Sequence, residues 1–402
     1  MRLFHADHVF PGDIAPIRDG AVVVGADGTV VEVGKAGEVG QGLTAERLHG
    51  IVFPGLVNAH THVELSSMRG RVTGGTGFIP WVDRMLGMRV EVTADEDAEG
   101  VASGVRELVA SGTVAVGDVT NTLLAVAPLA RAGIGGAVFH EVFGLDPAMV
   151  QKRIAGLRVE LAERVPSFPA GFTYAPAPHT LFTLHRDAAR ELLAAARDAG
   201  VCTSLHLAEH AAERRAVECG EGPAMTWFAD RLKQHPQMPG IPLFDLAEEV
   251  GALREGVLLV HLTDARPDEL ARVAKSGASV VLCPRSNLYI EGRLPPLLAV
   301  REAGITAALG TDSLASNGSL DVLAEAKALA DRFPTVPRWE LVRMATHNGA
   351  LALGRSDLGR IARGTRPGLF FVELVELAEG SARDPATFLL DHLREPRRNL
   401  LS

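Results

Sequence analysis

The sequence predicts an α/β fold, a (β/α)8 TIM barrel joined to a small β-sandwich built from both termini. Three observations point there. Between about residues 50 and 350, eight short apolar, β-rich runs each give way to a longer helical pattern. Those runs lack polar alternation, which marks strands buried on both faces and hence a parallel sheet. The chain ends instead carry short strands broken by turn signals. Eight βα units favour closure into a barrel over an open sheet. The expected division gives 1–52 and 356–402 to the sandwich and 53–355 to the barrel.

Each element has its own signal. In the opening stretch DGAVVVGADGTVVEVG, Ala26-Asp27-Gly28 reads as a hairpin turn. Barrel strands are expected at 51–60, 112–120, 135–144, 170–176, 201–209, 256–264, 279–287 and 305–313. Helical patterns between them include 188–200, the polar stretch Ala229–Gln234, and 267–277. Gly200, Gly256 and Gly277 fall just after helical runs, where a left-handed C-cap favours glycine. After about residue 355, LGRIARGTRPGLFFVEL returns to the texture of the start.

Composition narrows the function. The 402 residues are 47% hydrophobic and 22% charged, ample for a large core without staples. Net charge is −9 with no basic run, which argues against nucleic acid as a partner. Cys202, Cys219 and Cys283 are scattered and form no CxxC pair, the pattern of a reducing compartment. The start MRLFHADHVFPGD has no apolar leader core, and no run reaches the eighteen-odd residues of a membrane span. Cytoplasm is the expected location, with no membrane partner and a homodimer left open.

The chemistry lies at strand ends. His60-Thr61-His62 closes the first barrel strand, and residues i and i+2 of a strand project to one face. Alone the pair is weak: 14 histidines in this length give about 0.5 HxH pairs by chance. Position adds the weight. His206 ends the fifth expected strand, His261 the sixth and Asp312 the eighth, each after an apolar run (CTSLH, VLLVH, AALGTD). Barrel active sites sit at that rim, where ionisable groups are expensive to half-bury unless they ligate or pair. Three imidazoles and a carboxylate suit one divalent ion, Zn²⁺ first, with Fe²⁺ and Mn²⁺ as alternatives. Such an ion lowers the pKa of its water to roughly 7.

PGLVNAHTHVELS, HLAEH, LVHLTD, CPRSN and LGTDSLASN resemble the signature segments of the amidohydrolase superfamily across nearly the whole chain. The likeness is to its deaminase branch, which includes cytosine, guanine and S-adenosylhomocysteine deaminases. HLAEHAAE with CPRSNLYIEG resembles the aminodeoxyfutalosine deaminases of menaquinone biosynthesis. The resemblance implies that His60, His62, His206 and Asp312 hold one metal. It implies that His261 adjoins the reacting centre and that Glu209 shuttles a proton to a ring nitrogen. Glu209 otherwise reads as a solvated acid at a helix start, with Glu213 one turn on. Catalytic roles are thus expected of Glu209, His261 and Asp312.

The same resemblance places substrate near His179, otherwise a plain loop histidine. The residues themselves suggest Arg285, Ser286 and Asn287 as donors and acceptors for a polar ring or sugar edge. Glu64 reads as an acceptor for ribose hydroxyls or else a surface carboxylate, and Ser313 as a further contact. Asn287 otherwise closes a turn, and Ser313 with Ser316 and Asn317 otherwise shapes the loop that orients Asp312. Residues 172–182 contain no lysine to bridge two metals; Glu141 is the one substitute bridge, or else a structural acid. Phe78 and Trp81 read as helical core, and His140, His185, His210, His235 and His347 as structural. The expected reaction is deamination of a small aminated heterocycle or nucleoside, with 6-aminodeoxyfutalosine first. S-adenosylhomocysteine, adenosine, guanine and cytosine are rivals, as is amide or urethane hydrolysis at a two-metal site. A catalytically inactive barrel scaffold is the non-enzymatic alternative. RPGLFFVEL departs from the lysine-alanine-aspartate lead-in usual before the last sandwich strand.

Overall fold

The computed structural model describes residues 1–374 and 384–401. The expected sandwich segment therefore lies partly outside the described residues, at 375–383 and 402. Fourteen strands are described: β1 (Arg2–Val9), β2 (Ile17–Val24), β3 (Val30–Lys35), β4 (Ala45–Pro54), β5 (Leu56–Thr61), β6 (Thr113–Thr120) and β7 (Gly135–Val142). There follow β8 (Phe172–Pro178), β9 (Thr203–Leu207), β10 (Val257–His261), β11 (Ser279–Leu282), β12 (Ala307–Leu309), β13 (Leu369–Glu373) and β14 (Arg398–Asn399).

Strands β5 to β8 form one parallel four-stranded sheet and β9 to β12 another, each in chain order. Helices separate successive strands, among them Ala94–Ala110, whose N-terminus is fixed by a Thr93–Glu96 capping box. Every residue of β5, β9 and β10 is buried, as expected of parallel strands covered on both faces. The two sheets meet at two seams, where ladders give way to a few specific bonds. At one seam the His206 amide donates to the His179 carbonyl at 3.0 Å, and Thr203 Oγ1 donates to the Pro176 carbonyl at 3.1 Å. At the other, the Asp312 amide donates to the His60 carbonyl at 3.1 Å. Asn58 and Thr311 add two bonds there, of 2.7 and 3.1 Å. A few bonds thus link the two four-stranded sheets of this TIM-barrel-type fold.

The termini do join in a small β unit, hydrogen-bonded as one six-stranded sheet in the order β14-β13-β4-β1-β2-β3. Phe4, Val9, Val24, Val52, Leu369 and Phe371 share one of its apolar clusters. The Asp27-Gly28 turn links β2 to β3 as expected, with Gly28 at φ +80°.

Two strand expectations are corrected. The run 51–60 is split at Gly55, where a Cβ would lie 2.4 Å from Val114 and 2.7 Å from the Pro367 carbonyl. Only glycine lets the chain pass that closely from the terminal sheet into the barrel. The run 279–287 stops at Leu282, because Pro284 opens the helix Pro284–Glu291 from its first turn. Gly256 leads into β10 rather than capping a helix, whereas Gly277 does cap Pro267–Ser276 in the left-handed conformation.

The second seam generates a test. A Cβ on Gly310 would lie 2.7 Å from both the Cβ and the carbonyl oxygen of His60. We expect Gly310→Ala to lower the melting temperature by several degrees and to deplete bound metal, read by thermal unfolding and elemental analysis.

Candidate metal centre

His60 sits one residue before the end of β5 with no exposed surface, and His62 follows immediately after the strand. His206 is the fourth residue of β9, His261 the last of β10, and Asp312 lies three residues beyond β12. Their imidazoles converge. Ring centroids lie 5.0 Å apart for His60–His62, 4.9 Å for His60–His206 and 5.6 Å for His206–His261. Asp312 Oδ1 stands 3.9 Å from His60 Nε2 and 3.5 Å from His62 Nε2. Donors on one tetrahedral ion, at about 2.0–2.1 Å each, are separated by about 3.3 Å. The spacing is that of ligands around an ion.

Electrostatics agree. Burial, followed by the neighbouring imidazoles, pushes the pKa of His60 well below its ordinary value. Burial likewise lowers His206, and lowers His261 to about 4. Burial thus disfavours the charged form of His60, His206 and His261. Burial pulls Asp312 upward, but the facing His62 and His261 and the Ser286 hydroxyl outweigh it and hold the carboxyl below its ordinary value. Neutral imidazoles beside an ionised carboxylate are what a divalent cation needs.

The orphaned atoms supply the fit test. Both ring nitrogens of His60 are buried without any hydrogen-bond partner. Leaving buried polar atoms unpaired costs about 1–3 kcal/mol each, so a native structure does not hold two without compensation. A cation among His60, His62, His206 and Asp312 relieves the one aimed at Asp312.

Neighbouring side chains fix these donors. Ser286 and Ser316 donate to Asp312 Oδ2 at 2.5 and 3.0 Å, leaving Oδ1 toward the histidines. His206 Nδ1 donates to the His179 carbonyl at 2.9 Å, which turns Nε2 inward. The amide nitrogen of Asn287 lies 3.2 Å from His261 Nδ1. With that amide donating, the ring proton of His261 sits on Nε2, which faces Glu209 Oε1 at 3.6 Å. Ala208, His261 and Asp312 all adopt left-handed backbone, with φ of 50°, 78° and 57°. Such residues cost on the order of 1–3 kcal/mol each and persist where surroundings over-determine them. Two of the three, His261 and Asp312, carry side chains that meet the cluster.

Glu209 is buried, not solvated, and its carboxyl is pushed well above the ordinary value by burial, then by Asp312, Glu213 and Glu291. The backbone amide of Glu209 donates to Glu213 at 2.9 Å, so Glu213 holds the turn that presents it.

The expected substrate contacts divide. His179 stays at the mouth, its Nδ1 2.6 Å from Thr183 Oγ1 and its Nε2 4.0 Å from Glu141. Glu64 instead accepts from the Thr120 hydroxyl, the Asn121 amide, and the amide and hydroxyl of Thr122, at 2.5–2.9 Å. Three of those donors meet Oε2 and one meets Oε1, so Glu64 secures the loop after β6. Ser313 is buried with its Oγ 3.4 Å from Ser316 and belongs to the loop behind Asp312. Arg285 leans to Glu325 at 3.9 Å, and Asn287 stands behind His261. Glu141 carries a buried, unpartnered Oε1 3.7 Å from His206 Nδ1.

Sequence reasoning missed Asp118, whose Oδ1 accepts from the Val63 amide at 3.0 Å and anchors the turn just past His62. An acid inside the apolar run TVAVGDVT was its signal. His210, taken as structural, caps the helix Ala211–Cys219 through Nδ1. Phe78 and Trp81 are buried in the helix Phe78–Glu91, as expected of core residues.

Residues 51–395 match the amidohydrolase family. The 5-methylthioadenosine/S-adenosylhomocysteine deaminase of Halobacterium salinarum is 33% identical over 89% of this chain and 80% of its own. The aminodeoxyfutalosine deaminase of Deinococcus radiodurans is 30% identical over 88% of this chain and 86% of its own. In fold, the chain resembles the aminofutalosine deaminase of Helicobacter pylori solved with methylthio-coformycin. That likeness has a TM-score of 0.86 at 23% identity, covering 98% and 97% of the two chains.

The supports of Asp312 are open to test. Ser286→Ala should leave the fold intact and weaken metal retention roughly 10- to 100-fold, measured by metal content after dialysis against a graded chelator.

Proposed function

The chain belongs to the amidohydrolase family and hydrolyses carbon–nitrogen bonds, and from that premise we propose that it deaminates 6-aminopurine nucleosides. The observation that carries this reading is the Glu209–His261 pair, 3.6 Å apart and set beside the unpartnered nitrogens of His60. Deamination of an amidine-like carbon needs water attack, a proton on the adjacent ring nitrogen, and another on departing ammonia. A buried carboxyl beside the reaction centre suits both transfers.

We assign zinc to His60, His62, His206 and Asp312 on the chemistry of three imidazoles and one carboxylate. When bound, such an ion supplies a water nucleophile ionised near neutral pH. Asp312, its Oδ2 steadied by the two serines, would both hold such an ion and take up a proton. Glu209 carries a proton to the ring nitrogen and then serves the leaving amine. His261 donates from Nε2 toward the oxygen that develops negative charge, held in that tautomer by Asn287. His179, at the mouth, binds the purine.

For the substrate we put 6-aminodeoxyfutalosine first, giving deoxyfutalosine and ammonia as a step toward menaquinone. The Deinococcus relative supports it. A second reading, 5-methylthioadenosine or S-adenosylhomocysteine, is favoured by the Halobacterium relative. We place the reaction in the cytoplasm, on three cysteines that are all free. Among the described residues no helix is long and apolar enough to cross a membrane.

Ammonia release across 6-aminodeoxyfutalosine, 5′-methylthioadenosine, S-adenosylhomocysteine, adenosine, guanine and cytosine, with product masses, tests this. Turnover of none of them overturns the reading. Glu209→Gln should retain the metal and lose turnover by several orders of magnitude; a variant that instead loses its metal would make Glu209 a ligand. Asp312→Asn should lose both turnover and metal retention, since one side chain serves both.

A further inference from the structure

Phe143 follows β7 directly and is 59% exposed, an unusual place for a phenyl ring. Leu124, in the loop after β6, and Met149, in the first turn of the helix Pro147–Arg164, are exposed as well. All three sit on the rim of the barrel that carries the metal centre. Exposed apolar groups gathered beside a catalytic mouth mark a surface that is covered when a ligand arrives.

The ring of Phe143 meets that of His179 edge-on, with centroids 6.3 Å apart at 69°. His179 meets His206 in the same manner at 5.1 Å and 67°, and His206 lies 4.9 Å from His60. Four rings therefore lead from solvent to the metal donors, and only the outermost is apolar. The platform is rigid. The His179 amide donates to the Val142 carbonyl at 3.0 Å, and the Gly144 amide to the Thr183 carbonyl at 2.8 Å. The His185 amide donates in turn to the Gly144 carbonyl at 2.8 Å. The one acid of this loop, Asp146, is occupied by the amide of Met149 at 2.9 Å. The loop thus presents Phe143 to solvent, with its one carboxylate turned to cap the following helix.

We propose that Phe143 is a specificity-determining residue, packing against an apolar substituent at the 5′ position of the nucleoside. The assignment rests on the deaminase reading above, and it deepens that reading by naming the substrate class. With the base at the metal centre and His179 beside it, the sugar's far end extends outward along the line of rings to Phe143. A thioether or aryl chain there buries the phenyl ring. A 5′-hydroxyl leaves it in water and gains nothing. Selection by such a contact is worth about 10- to 200-fold per apolar group.

The test compares wild type with Phe143→Ala on 5′-methylthioadenosine and on adenosine. For the thioether, kcat/KM should fall about 10-fold through KM, with kcat held within about twofold. Adenosine should change by less than about twofold, and Phe143→Leu should recover most of the loss. Equal losses on both nucleosides, or none on either, overturn the assignment. Titration calorimetry with 5′-methylthioinosine and inosine reads the same discrimination without turnover. Wild-type protein inert toward every amino nucleoside overturns the deaminase reading, while the titration still decides the role of Phe143.

Discussion

The structure depends on neutral imidazoles held together away from water. His60 has no exposed surface and no hydrogen-bond partner for either nitrogen, and His206 and His261 press close to it. In an apolar interior that arrangement is a net cost, since both nitrogens of His60 give up water for no protein partner. A divalent cation reverses the sign for the donors that reach it. Much else near the centre can be understood as keeping that cluster in place.

Barrel closure is tied to the same residues. At the two seams between the four-stranded sheets, the connecting amides belong to His206 and Asp312 and the accepting carbonyls to His179 and His60. The links between the two sheets therefore run through residues of the candidate metal centre. Displacing a seam displaces a ligand, and a ligand drawn toward a cation draws the seam with it. Left-handed conformations at His261 and Asp312 add strain at those points, borne by the bonds to Asn287, Ser286 and Ser316.

Around the donors, side chains divide by what they touch. Ser286 and Ser316 touch Asp312, Asn287 touches His261, and Glu213 touches Glu209. Glu64 and Asp118 hold the chain around β6 and the turn after His62. His179 and Phe143 face outward. This layering separates the buried cluster of imidazoles and carboxyls from the side chains at the rim. Fold and metal chemistry therefore say less about substrate than two or three rim side chains do.

The sequence by itself determined the repeating βα pattern, the convergent rim histidines and Asp312, because burial on both faces and strand periodicity leave direct marks on local composition. It also marked Phe78 and Trp81 as core and the chain ends as one β unit. Tertiary structure alone decided that Gly55 divides what reads as a single strand. It alone decided that Glu64 and Ser313 turn inward, and that Asn287 serves His261. Those outcomes hang on which loop lies opposite: Glu64 meets Thr120 and Thr122, and Asn287 meets His261, across 56, 58 and 26 residues of chain. A polar side chain looks the same in sequence whether its partner is a substrate or a distant backbone amide. Only folding brings the partner within hydrogen-bond reach.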